Sequence, residues 1–125
     1  MKSQGRGARK VVLLTAAVAT AALVGGGSAP AIGASATVKA TGNDTWSPKT
    51  KSVARGTKVI WKNPTGDGHN IVSYRGNWSK SASLPEGGKT SYKFNNGGTY
   101  KFRCTIHSDL EGSKCEGMCG KVKVS

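Results

Sequence analysis

The 125-residue chain carries 19 Lys+Arg against 6 Asp+Glu, with 18 Gly, 3 Cys and 2 His. That length allows one domain. Two histidines are too few for a multi-histidine metal cluster, and six carboxylates leave little choice for a hydrolase built on paired acids.

Met1 to Lys10 is polar and basic, Val11 to Val24 is a 14-residue run without charge, and Gly25 to Ala36 is rich in small residues and ends on Ala34-Ser35-Ala36. A basic head, a short apolar stretch and an A-x-A site form the secretory pattern. The apolar run is shorter than the roughly 20 residues that span a bilayer core. Residues 1–36 are therefore expected to be a cleaved signal peptide, with Ala31 as the alternative cut, leaving residues 37–125 as the mature domain. Four basic residues and no acid leave with that segment, so 15 basic residues face 6 acids and the mature charge is +9. Export takes the cysteines to a compartment where disulfides persist.

From Thr37 onward, short alternating runs are broken by turn residues. Thr37–Ala40, Ser52–Ala54, Thr57–Lys62, His69–Tyr74, Ser91–Phe94, Thr99–Cys104 and Lys121–Val124 read as strands. Gly42-Asn43-Asp44, Asn63 to Gly68 and Asn95 to Gly98 read as turns. Period-2 runs at this spacing, without a sustained helical period, predict an all-β sandwich or barrel. Tyr92, Phe94, Tyr100 and Phe102 are expected on one buried face, with Lys93, Lys101 and Arg103 opposite. The turn-rich Asn95–Gly98 segment predicts that Ser91–Phe94 and Thr99–Phe102 pair as a hairpin. Lysines on alternate strand positions (Lys58, Lys62, Lys93, Lys101, Lys121, Lys123) are those of a solvated sheet face, and together they could steer an acidic partner. Export and the lack of a clustered Arg/aromatic patch disfavour nucleic acid.

Four metal-binding side chains fall in one stretch, Cys104-x2-His107-x7-Cys115-x3-Cys119, with Met118 beside the last and His69 far upstream. Two ligand sets are compatible with them. His69, Cys104 and His107 with Met118 as a weak axial ligand form the His2Cys arrangement of blue-copper sites. Cys104, His107, Cys115 and Cys119 form a Cys3His set suited to structural zinc, which leaves His69 without a role.

The chain resembles the cupredoxins of the small plastocyanin and pseudoazurin kind. The resemblance lies in Val53-x2-Gly56-x2-Val59-x-Trp61-x-Asn63, His69-Asn70, Gly98-x-Tyr100-x-Phe102-x-Cys104-Thr105-x-His107 and Gly117-Met118-x-Gly120-x-Val122-x-Val124. It implies a Greek-key β-sandwich with one type 1 copper ion held by His69, Cys104, His107 and Met118. It further implies that Asn70 and Thr105 tie the two ligand segments together, and that His107 lies near the surface as the electron's exit with Leu110 beside it. The chain departs from the family in the ten residues between His107 and Met118. Cys115 and Cys119, bracketing Met118, are expected to pair as a disulfide; an intermolecular bond or a fourth-ligand role are the alternatives. The function expected is an exported one-electron carrier between redox proteins, not an enzyme and monomeric. Its acceptor or donor would present an acidic docking surface, and no transmembrane segment remains in the mature chain. A copper-buffering or delivery protein of the envelope is the alternative.

Overall fold

The computed structural model describes residues 34–125. Most of the expected leader lies outside them. Nine strands follow in order: β1 (Ser35–Ala40), β2 (Trp46–Ser47), β3 (Thr50–Val53), β4 (Thr57–Lys62), β5 (His69–Arg75), β6 (Ser81–Leu84), β7 (Lys89–Phe94), β8 (Gly98–Glu111) and β9 (Lys114–Val124). They form two sheets, β2-β1-β4-β7 and β3-β9-β8-β5-β6, packed as a sandwich rather than closed into a barrel. The all-β expectation holds. Both sheets are mixed, with β1 parallel to β4 and β3 parallel to β9.

Alternation drives the layering. β4 buries Thr57, Val59 and Trp61 and turns Lys58 and Lys62 to solvent. β8 buries Tyr100, Phe102 and Cys104, and β9 buries Met118, Gly120, Val122 and Val124 on its inner side. Period-2 side-chain alternation puts each set on one face. Aromatic rings fill the space between: Phe102 meets Trp61 edge-on at 5.2 Å and Trp46 at 5.6 Å. Trp78 packs against Trp61, Tyr92, Phe94 and Tyr100.

The expected hairpin of Ser91–Phe94 with Thr99–Phe102 does not form. β7 pairs with β4 in one sheet, and β8 pairs with β5 and β9 in the other. The Asn95–Gly97 segment carries the chain across the sandwich, so Phe94 and Tyr100 meet through the core with their rings tilted and their centroids 4.8 Å apart. Alternation specifies which side chains are buried, but it is the same for two strands side by side and two strands facing each other. The four aromatics share a core, contributed by two sheets.

The ten residues between His107 and Met118 are not an irregular loop. β8 and β9 continue past the sandwich as a hairpin, Ser108↔Gly117 to Glu111↔Lys114. Its tip folds back on the outer face of the second sheet, where Arg75 donates to the Gly112 carbonyl at 3.0 Å.

Gly120 marks the tightest point of the core. A Cβ there would lie 2.6 Å from Phe102 Cζ and 3.0 Å from the Lys49 carbonyl oxygen. Gly120→Ala is expected to cost about 1–3 kcal/mol by overpacking. Thermal unfolding checks this; an unchanged Tm would mean that Phe102 moves aside freely.

Candidate metal centre

Between Arg103↔Cys119 and Ser108↔Gly117 the β8–β9 register slips, so Cys104 to His107 stand opposite Met118 alone. This bulge ends regular pairing and re-aims the side chains on it. Ser108 Oγ closes it by donating to the Cys104 carbonyl at 2.5 Å, and Arg103 Nη1 donates to Ser108 O and Oγ at 3.2 and 3.0 Å. Cys104 turns into the core and His107 turns back beside it, while His69 arrives at the head of β5, buried.

The three donor atoms converge. His69 Nδ1 and His107 Nδ1 are 3.2 Å apart, and Cys104 Sγ lies 3.8 and 3.6 Å from them. A triangle with those sides has its centre about 2.1 Å from each corner, within the roughly 2.0–2.3 Å over which nitrogen and thiolate ligands bind a metal ion. The residues therefore fit a single ion held by two imidazoles and a thiolate. Met118 is fully buried opposite the bulge, in the same core cluster as Cys104. Its carbonyl accepts from Trp46 Nε1 at 3.1 Å.

The second strand of the outer hairpin carries a disulfide, Cys115–Cys119, with Cα atoms 6.2 Å apart. Four residues of regular strand would separate them by about 13 Å. The chain therefore doubles back between them at Gly117, whose φ is 102°, and turns Met118 inward. With both sulfurs bonded to each other, the Cys3His zinc set has lost two of its ligands. Cys104 is the free cysteine.

Outer contacts brace the triad. Asn70 Nδ2 donates to Thr105 Oγ1 at 2.7 Å, and Thr105 N donates to Asn70 Oδ1 at 2.8 Å. This reciprocal pair joins the His69 strand to the Cys104 bulge. On the far side of His69, Thr65 Oγ1 lies 3.2 Å from Nε2 and donates to Asn63 Oδ1 at 2.6 Å. Asn63, itself buried, donates to the Leu84 and Asp67 carbonyls at 2.9 and 2.7 Å. Such partners fix the tautomer and orientation of a ligating imidazole. Thr65 and Trp46 carried no role in the sequence. Thr65 stands four residues before His69 in a turn headed by Asn63, a hydroxyl-capped turn that could have been noticed. Trp46 had no local signal, because its partner is 72 residues away. Leu110 sits half-buried in the outer hairpin; the large exposed hydrophobic beside His107 is Ile106, 60 % exposed.

Burial, and then the neighbouring His107, lower the pKa of His69 from its usual 6.5, while Asp44 and Asp67 push weakly upward. The folded protein therefore keeps His69 as neutral imidazole, the form that binds a metal. Below pH 6.5 the unfolded chain takes up more protons than the folded one, so the stability present above that pH is lost as pH falls. The metal-free protein is expected to lose Tm from about pH 7 to about pH 5, and His69→Gln to flatten that loss. Equal slopes for the two proteins would contradict it.

The sequence model of the family described as copper binding proteins, plastocyanin/azurin family, matches residues 34–125. No curated protein sequence matches the chain. Among solved structures, a purple cupredoxin from Nitrosopumilus maritimus is 25 % identical with a TM-score of 0.57, covering 72 % of this chain and 99 % of that one. The reduced state of an amicyanin mutant is 24 % identical with a TM-score of 0.60, covering 78 % of this chain and 92 % of that one. A copper-containing nitrite reductase from Thermus scotoductus is 24 % identical with a TM-score of 0.61 over 78 % of this chain, which spans 25 % of that enzyme.

Proposed function

Because the chain belongs to the plastocyanin/azurin family of copper-binding proteins, we propose that it is an exported carrier of single electrons whose type 1 copper ion is held by His69, Cys104, His107 and Met118. The observation that carries this is the triangle of two Nδ1 atoms and one Sγ with sides of 3.2, 3.6 and 3.8 Å. When bound, copper supplies a one-electron couple that thiolate, thioether and imidazole ligands suit in both states. Cys104, fully buried on β8, offers its thiolate away from water. Met118, kept in place by the Cys115–Cys119 bond and by Trp46, would supply its thioether to the bound ion. The Asn70–Thr105 pair and the Asn63–Thr65 network keep the donors at one spacing, so little has to rearrange when an electron arrives or leaves. His107 has a quarter of its side chain exposed, and its edge is the electron's way out.

No bond of a substrate is made or broken in this role, so the protein acts as a carrier and not as an enzyme. Its partners are redox proteins. The +9 charge expected of residues 37–125 favours a partner with an acidic docking surface and a carrier that works as a monomer. Among the described residues no helix is long and apolar enough to cross a membrane. Export rests on the leader-like first segment and agrees with the disulfide. The pairing of Ser35 and Ala36 with Lys58 and Val59 at the start of β1 supports the alternative cut after Ala31.

Voltammetry of the copper-loaded protein tests the carrier role. One reversible one-electron wave per chain is expected, and His69→Ala is expected to abolish it. Irreversible behaviour, with the metal passing readily to a small thiol, would instead favour a copper buffer.

A further inference from the structure

The two histidines have different partners on their outer nitrogens. His69 Nε2 faces the neutral Thr65 hydroxyl at 3.2 Å. His107 Nε2 faces a carboxylate, Asp44 Oδ1, at 3.7 Å. That oxygen is buried and has no hydrogen-bond partner, although 42 % of the Asp44 side chain is exposed. Among the described residues, the ion-pair contact of this carboxylate is with the His107 imidazole.

Asp44 is held there deliberately by the fold. It is the one non-glycine among the described residues with positive φ, 56°, a conformation that Asp tolerates better than most residues. The turn around it is closed by Thr41 N to Thr45 O at 2.9 Å, Asp44 N to Thr41 O at 3.1 Å, and the Thr41 and Thr45 hydroxyls at 2.6 Å. Thr41 Oγ1 also accepts from the Asn43 and Thr45 amides, both at 3.3 Å. β1 and β2 on either side carry this turn over the edge of the site, and Trp46 on β2 reaches back to Met118. A short, tightly bonded turn thus spends its unusual residue on aiming a carboxylate at His107.

We propose that Asp44, whose carboxylate faces His107 Nε2 at 3.7 Å, holds the reduction potential of the copper site by its negative charge below the value that His69, Cys104, His107 and Met118 alone would set. An anion beside the site stabilises the doubly charged oxidised ion more than the singly charged reduced one. No proton or group is transferred: one electron enters from a donor protein and one leaves to an acceptor. The charge also reaches the second histidine, where Asp44 opposes the downward push on His69.

This inference rests on the copper assignment, and its test separates the two. Asp44→Asn keeps the side chain's size and tolerates the same backbone, so it removes the charge alone. Asp44→Gly removes the whole side chain while permitting positive φ. In copper-loaded full-length protein equilibrated with one redox buffer, both variants are expected to keep the visible band and to raise the reduced-to-oxidised ratio by about threefold or more. The gap between wild type and Asp44→Asn is expected to narrow as salt is added, because part of the charge is open to water. A merely structural residue would change Tm or the band and show no such salt dependence. A ratio unchanged by Asp44→Asn overturns the role of Asp44, with the band intact. A wild-type protein without the band would defeat the copper assignment and this inference with it.

Discussion

A thiol sulfur and two imidazole nitrogens lie within 3.8 Å of one another, two of the three side chains being buried. The three donor atoms converge on one point, at ligand distance from it. One cation at the centre satisfies all three. The rest of the molecule reads as the means of keeping that point the right size.

The means are distributed over both sheets. The bulge on β8 brings Cys104 and His107 to one place, and the reciprocal Asn70–Thr105 pair fastens it to β5. Asn63 and Thr65 fix the outside of His69, and Asp44 faces the outside of His107. Trp46 joins the short strand β2 to Met118 and packs on Phe102 and His69. The outer hairpin extends the segment between His107 and Met118, and its disulfide returns β9 to the position where Met118 can point inward. The long segment is compatible with a compact site because its own strands pair with each other.

The strands of the core were legible because alternation is a local property. Thr57–Lys62 has the expected bounds, and the triad residues stood out because Cys and His are rare in this chain. What the sequence left undetermined was whichever depended on distant partners. Period-2 patterning could not say whether Phe94 and Tyr100 lie side by side or across the core, and the hairpin expectation failed there. β2 is two residues long and β6 is a polar run with one buried leucine, so neither carries a pattern to detect. Ser108 to Gly117 has few apolar residues to mark strands, since most of its side chains face solvent, and its hairpin is set by backbone pairing. Asp44 resembled any turn acid, for its meaning comes from a histidine 63 positions along the chain.

The most direct test of the account is a visible absorption titration of the purified protein with Cu(II), beside Cys104→Ser. The account predicts an intense blue band that saturates at one copper per chain, bleaches on reduction and is missing in Cys104→Ser. A colourless complex, or a band that survives the loss of Cys104, would contradict a thiolate–copper bond at this site and the electron-carrier function built on it.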